Sequence, residues 1–442
     1  MSEKIRIKKG LDIPLAGKVE DYAEITVRDT LTGIVPDDFP GYKWKAAVKE
    51  GDKVLKGEPL MHAAENESLK LTSPVSGIVK EIRRGERRKI LAVTVAREIT
   101  DAEDEKRFAG ADILQMLCES GLFAMIRQRP YDIVPDPDVR PRDIFITAFD
   151  TAPLAGPVIF PSESDWLSKG IKALSQLTDG KVYLNVRFGS GISDANAVVT
   201  EFQGPHPAGN AGVQIAAIKP VNKGETVWTL DARTAVRIGK LADTGRLDTG
   251  CKVFVTGSLV DRPYLAKCVE GIAMKDLVGG RLNAPENECR VISGNALTGS
   301  KTDPETGFLR FPYRQVTVIR EGDHADEFMG WASMNPSKFS VKRSFPAFMR
   351  GLSKPFDFDA RLKGGERAMI LSGEYDKVFP MDIYPEFLLK AIMARDIDKM
   401  EKLGIYEVAP EDFALPEFVD TSKLPLQKIV REGLDYLRKE LN

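Results

Sequence analysis

The chain has 442 residues, 43% of them hydrophobic and 29% charged. That length exceeds what one hydrophobic core supports and predicts two to four domains of soluble, globular type. The 63 basic residues nearly balance 65 acidic ones for a net charge of −2, which argues against a general nucleic-acid binder.

No apolar run reaches the roughly 18 residues of a membrane span. The opening MSEKIRIKKG lacks the apolar stretch of a signal peptide, so a cytoplasmic protein is expected. The cysteines are Cys118, Cys251, Cys268 and Cys289, and none forms a CxxC pair. Zinc and iron–sulfur sites usually need such a pair. His62, His206 and His324 are equally scattered, so no metal site and four reduced, mostly buried thiols are expected.

In chain order, IRIKKGLDIPLAGK (5–18) begins with strand alternation and is then punctuated by Gly10, Pro14 and Gly17. Residues 44–95 hold several short apolar runs with turns at Gly51, Gly57, Gly77 and the RRGERR stretch. That pattern predicts a small β sandwich or barrel. Its KEGDKVLKGEPL and TSPVSGIVKEI elements resemble the biotinyl/lipoyl carrier domain. A carrier needs a lysine at the hairpin tip, and here the tip is Ala64, Glu65, Asn66, Glu67 and Ser68. The fold is expected and the attached cofactor is not. Basic residues between Lys80 and Lys89 predict a solvated edge, or a docking face for an acidic partner or lipid head groups.

Residues 112–127 read as helical with an interruption at Gly121, and the prolines of RQRPYDIVPDPDVRPRD mark a boundary. Strands are predicted at 144–149, 181–187 and 198–202. Helices are predicted through Leu167, Ile171, Leu174 and Leu177, with Ser162 and Asp165 as capping box, and after a capping Asp231. Strand–helix–strand order predicts a Rossmann-like parallel sheet. The third strand runs into FQGPHPAGNAG (202–212), whose glycines allow close backbone approach and whose prolines stiffen the path. Such a loop at a sheet edge is where ligands or partners meet an α/β fold. Neither FDTAPLAGP nor FGSGIS supplies a GxGxxG cradle, and no Walker A sequence exists, so no tightly bound nucleotide or flavin is expected.

Strands at 251–258, 290–298 and 313–320 with a short helix near 274–277 predict a β-grasp-like domain. KFSVKRSFPAF (338–348) mixes three basic residues with three phenylalanines. It reads first as a strand with solvated charges and second as an amphipathic contact with a membrane-embedded partner or a quinone head group. Helices close the chain at 385–395 and about 425–441. The expected class is multidomain α/β and α+β. An N-terminal region (1–130) holds a biotinyl/lipoyl-like β domain at about 36–98. A Rossmann-like domain spans 138–250, a β-grasp-like domain 251–325, and a C-terminal region ending in helices 326–442.

KKGLDIPLAGK, TSPVSGIVKEI, SGLFAMIRQRP, TAFDTAPLAGP, FQGPHPAGNAG, RVISGNALTGS, KFSVKRSF and FPMDIYPEFLLKAI occur in this order along the whole chain. Together they resemble the A subunits of the sodium-translocating NADH:quinone reductases. The related C subunits of Rnf complexes and the flavin-bearing complex I subunit carry short-spaced cysteines, and the complex I protein also a glycine-rich flavin loop. This sequence has neither. The resemblance implies a six-subunit membrane complex that passes electrons from NADH through FAD, iron–sulfur, FMN and riboflavin centres to ubiquinone and exports sodium. It implies a peripheral protein on the cytoplasmic side against the membrane-embedded B subunit, with no cofactor, metal or catalytic residue of its own. Quinone or partner contacts are expected at His206, Pro207 and Gly209, and at Lys338, Phe339 and Arg343. A free-standing flavin- or NADH-dependent oxidoreductase, an Rnf-type electron-transfer subunit and a carrier protein are the alternatives.

Overall fold

The computed structural model describes residues 3–98, 105–110, 112–323, 338–341 and 354–441. The predicted β domain is built from two sheets. One orders the strands Leu31–Ile34, Ile90–Arg97, Gly77–Arg84 and Lys53–Val54; the other orders Trp44–Ala46, Pro59–Ala63 and Lys70–Thr72. Leu60, Met61, Leu69, Val93 and Val95 are fully buried between them. Gly51 and Gly57 take the left-handed conformation at the turns where the sequence places them. Two cations of the basic edge are paired within the chain: Lys89 bonds Asp37 at 2.7 Å and Arg83 meets Glu81 at 3.2 Å.

A six-stranded sheet forms the centre, in the order Glu3–Arg6, Val198–Gln203, Val182–Arg187, Ile144–Thr147, Val227–Asp231, Arg127–Arg129. The first five strands are parallel and the last is antiparallel. Burial on both faces explains the near-continuous apolar runs. Ile144 and Ile146 face the helices Ser164–Leu174 and Ala232–Thr244, while Phe145 faces Ile215 of the helix Ala211–Ile218. The four inner strands stand in chain order 3-2-1-4, so the order reverses between Ile144–Thr147 and Val227–Asp231.

The second six-stranded sheet orders Ser300–Lys301, Cys289–Ser293, Gln315–Arg320, Gly250–Thr256, Tyr264–Val269 and Glu24–Thr26. Two edge strands thus come from the first thirty residues, which strap both large sheets together. The helices Pro385–Met393, Ile397–Lys402, Ala414–Val419 and Leu426–Leu441 bury a common stripe of Leu388, Ile392, Val430, Leu434 and Leu437. The same cluster takes in Phe202, Ala208 and Val213, so the C-terminal helices are seated on the 202–212 loop.

Three local expectations are corrected. The predicted helix at 112–127 is the helix Ile113–Ser120, ended by left-handed Gly121, and Arg127 already lies in a strand. The carboxylate that reaches back before the helix Ser164–Leu174 is Glu163, which accepts the Phe160 N–H at 2.8 Å, not Asp165. Of the run 338–348, residues 338–341 hold a bend and a turn rather than a strand, and 342–348 lie outside the described residues.

Candidate functional site

In open α/β sheets, ligands bind beyond the carboxyl ends of the strands where the strand order reverses. A cavity of about 470 Å³ lies at that point. Its floor is Thr147, Phe149 and Asp150 after one strand and Thr229, Leu230 and Asp231 at the end of the other. Its walls come from the 202–212 loop, the N-terminal region (Asp38), the second six-stranded sheet (Arg314) and the C-terminal helices (Glu411).

Arg314 spans the floor. It reaches Asp150 at 3.3 Å and Asp231 at 3.4 Å, tying the two strand ends together. Asp231 also caps the helix Ala232–Thr244 by accepting the Thr234 N–H at 2.8 Å, as its sequence position predicts. Burial works to raise its pKa, but Arg233, Arg314 and the Thr234 N–H hold it below the usual carboxylate range. Asp38 goes the other way: burial raises it despite Arg310 beside it.

The 202–212 loop owes its composition to three close approaches. A Cβ on Gly204 would stand 2.4 Å from the Ile7 carbonyl, one on Gly209 2.8 Å from the Thr151 nitrogen, and one on Gly212 2.4 Å from the Asp412 carboxylate. The close neighbours are therefore the protein's own segments. His206 is 3% exposed. Its N–H donates to Asp12 Oδ1 at 2.9 Å and its Nδ1 lies 3.1 Å from Thr151 Oγ1. Its Nε2 is buried without a partner. Burial lowers the imidazole pKa to about 4 against the opposing fields of Asp150 and Asp12, so the ring is neutral at neutral pH.

The helix Ala211–Ile218 starts at the end of this loop, and Asn210 gives it no side-chain cap. The unbonded amides and the helix dipole make such an end a seat for an anion. Gly212 in its first turn packs against the Asp412 carboxylate, which is fully buried and whose Oδ1 has no hydrogen-bond partner. Arg129 Nη1 donates to Asp412 Oδ2 at 2.7 Å and the Ala409 N–H does so at 2.8 Å. Arg129 also meets Glu411 at 3.0 Å. Burial lowers the Arg129 pKa, but Asp412 and Glu411 outweigh it and raise the net value. Glu411 keeps 41% of its side-chain accessibility although it sits deep in the molecule, because the surface it keeps is cavity wall. Burial and the Asp412 charge push its carboxyl up to about 8, over the pull of Arg129, so it is largely protonated at neutral pH.

The expected contact residues fall into separate places. His206 and Gly209 line the switch-point cavity, with Pro207 buried beneath. Lys338 and Phe339 line a second, larger hollow of about 1450 Å³. There the Phe339 ring packs 5.4 Å from both Phe356 and Phe358 and 6.2 Å from Phe418. Lys338 is 9% exposed. Arg343 lies outside the described residues. Sequence reading missed Arg129, Arg314, Glu411 and Asp412. Each meets its partner across more than 80 residues of chain, so no local spacing marks it. Among the described residues no group of three or more potential ligands could hold a metal ion.

Two models of the NqrA family match: the N-terminal barrel-sandwich hybrid domain over residues 5–98 and the second alpha/beta domain over 108–247. The chain is 35% identical over 450 residues to the A subunit of the Na(+)-translocating NADH-quinone reductase of Neisseria meningitidis serogroup C, covering 99% of this chain and 100% of that one. Its counterpart in Rhodopirellula baltica is 36% identical over 450 residues, with 98% of each covered. That of Serratia proteamaculans is 35% identical over 453 residues, covering 99% and 100%. Likeness at that level along the whole length, with both domain models in their expected order, means that the chain belongs to the family of A subunits of the Na(+)-translocating NADH-quinone reductases.

Proposed function

We propose that this chain serves in a sodium-translocating NADH:ubiquinone reductase as its peripheral, cofactor-free A subunit. It docks on the membrane-embedded B subunit at the cytoplasmic face and supports quinone reduction coupled to sodium export. The FAD, FMN, riboflavin and iron–sulfur centres that carry electrons from NADH to ubiquinone belong to other subunits in this reading. The end-to-end likeness to A subunits supports it. No helix among the described residues is long and apolar enough to cross a membrane, in keeping with a peripheral place.

In this reading the domains are an N-terminal region (1–130) with a biotinyl/lipoyl-like unit at about 36–98, a Rossmann-like unit at 138–250, a β-grasp-like unit at 251–325 and a C-terminal region ending in helices at 326–442. The central sheet also recruits Glu3–Arg6 and Arg127–Arg129 from outside the second of these. The 3-2-1-4 parallel order supports the second name. The parallel pair Gly250–Thr256 and Gln315–Arg320 at the centre of the other sheet supports the third.

His206 and Gly209, with Pro207 behind them, form one wall of a quinone head-group site at the switch point. Its volume is in the range of about 300–1,000 Å³ usual for small ligands. The single observation that favours it is the partnerless Nε2 of a neutral, buried His206. A neutral imidazole and a protonated Glu411 both suit a carbonyl acceptor. Lys338, Phe339 and Arg343 belong to a second contact, with the membrane-embedded partner. Cross-linking of the purified complex tests the docking: links from the region around Lys338 to the B subunit are expected, and links confined to the other subunits refute it. His206→Ala should weaken quinone affinity in the assembled complex; unchanged affinity removes that role.

A further inference from the structure

Two of the four thiols stand apart from the rest. Cys251 and Cys268 face each other directly across the antiparallel strands Gly250–Thr256 and Tyr264–Val269. Their sulfurs are 3.4 Å apart and both side chains are buried. Directly opposed residues in such a pair have Cα atoms about 4.5–5.5 Å apart, within the span a disulfide accepts. A hollow of about 40 Å³ adjoins Cys251, with Arg233, Met125 and Glu270 in its wall. That is room for a water pair or one molecule of similar size. Arg233 lines it: its Nη1 and its Nε, the latter 4.0 Å from the Asp231 carboxylate, are buried without a hydrogen-bond partner, while Nη2 reaches the Pro312 carbonyl at 3.4 Å. Arg237 meets Met125 and Glu270 of the same wall and donates to the Gly250 carbonyl at 2.8 Å.

We propose that Cys251 and Cys268 form a peroxide-reactive dithiol, with the hollow beside Arg233 as the seat for hydrogen peroxide. The two sulfurs differ in role. The hydrogen bond to Cys251, then burial, holds the Cys268 thiol well above its ordinary value, so Cys268 keeps its proton. Cys251, and not Cys268, lines the hollow, so its sulfur is the one that meets peroxide, reacting as the thiolate. The Cys251 thiolate attacks one peroxide oxygen, the O–O bond breaks, and hydroxide leaves to become water with the proton Cys251 released. Cys268 then attacks the Cys251 sulfenic sulfur. The S–O bond breaks and a second water leaves with the Cys268 proton. Two thiols and one peroxide give one disulfide and two waters, the sulfurs supplying two electrons. A low-molecular-weight dithiol reverses the change. Cys118 lies outside this arrangement, and burial pushes its thiol up to about 12.

The test uses the full chain, fully reduced, with hydrogen peroxide near neutral pH, read by intact mass and peptide mapping. A loss of two hydrogens is expected, mapped to a Cys251–Cys268 link that forms at least about tenfold faster than oxidation of Cys118 or Cys289. Cys268→Ser should stop at a sulfenic acid on Cys251 that dimedone traps, and Cys251→Ser should abolish the link. Arg233→Gln should slow Cys251 oxidation about tenfold at an unchanged thiol count. If Arg233→Gln does not fold, the rate ratio among wild-type thiols decides alone. Oxidation of Cys118 or Cys289 first, or a link that forms only in denaturant, overturns the proposal.

Discussion

Two regions of this molecule are laid out like ligand carriers, and each has the ligand's place filled differently. At the barrel-sandwich hairpin the attachment position is filled by a surface turn. Asn66 Oδ1 accepts the Ser68 N–H at 3.1 Å, and Glu65 accepts the Lys43 N–H at 3.3 Å. At the switch point Asp412, reached from the far end of the chain and held by Arg129, packs its carboxylate against Gly212 in the first turn of the helix Ala211–Ile218. The first replacement is local and exposed. The second is buried and joins two domains. An exposed tip adds little to stability, whereas a buried carboxylate held by a buried guanidinium is part of the core.

The sharpest way to break that contrast is Asp412→Ala. It takes the closer of two carboxylates from a fully buried guanidinium, leaving it Glu411 and the Glu407 carbonyl, and strands the Ala409 N–H. Removing one partner of a buried pair costs about 3–5 kcal/mol. Chemical denaturation should show a loss of that size. Arg129→Met combined with Asp412→Leu should recover part of it, because no charge is then left unpaired. A loss under about 1 kcal/mol for the single change would mean that Asp412 merely fills space.

The pH dependence sharpens the comparison next, and two neighbours act with opposite sign. His206 is neutral in the fold down to about pH 4 but protonates near 6.5 when unfolded. The unfolded chain binds the extra proton, so stability falls as pH drops from 6.5 towards 4, by up to about 3 kcal/mol. Glu411 keeps its proton in the fold up to about pH 8. There the folded chain binds the extra proton, so stability falls as pH rises from about 4.5 towards 8. His206→Asn should flatten the acid limb of a stability–pH curve and Glu411→Gln the neutral-to-alkaline limb. Both limbs surviving in both variants would place the titrations elsewhere.

The legible part of this fold is what repeats along the chain. Alternation marked the barrel strands, 3.6-residue spacing marked the helix Leu426–Leu441, and one residue type in one place marked Asp231 as a cap. The FQGPHPAGNAG loop announced close approach without saying to what. The answer, Asp412, lies 200 positions after Gly212, and its contact with Arg129 spans 283 residues. Spacing carries no trace of such pairings, because only the packed fold brings them together. Phe339 shows the same limit: nothing in its position beside Lys338 marks Phe356, Phe358 and Phe418 as the neighbours of its ring.

Gly212→Ala probes the plug from its other side. The added methyl would stand 2.4 Å from Asp412 Oδ2, so the carboxylate or the helix must shift. A cost of about 1–3 kcal/mol is expected from overpacking of this kind. It should shrink when Asp412 is already alanine, and a double-mutant cycle measures that coupling. Equal cost in both backgrounds would separate the loop from the plug.

The smallest expected effect is at the hairpin tip, and it completes the contrast. Asn66→Ala removes the acceptor for the Ser68 N–H and for its hydroxyl, 2.6 Å away. All three groups are exposed, so water replaces the lost acceptor and no buried charge is stranded. The shift in unfolding free energy should stay within about 0.5 kcal/mol. Asn66→Lys, which supplies the residue type a carrier needs, should be equally mild, since the Asn66 side chain bonds only Ser68 and the Leu69 N–H is held by the backbone carbonyl of residue 66. A loss of about 2 kcal/mol or more at this turn, against the roughly 0.5 expected for a surface site, would mean that the tip is as deeply tied into the fold as Asp412. The contrast between a vacated surface position and a plugged core position would then fail.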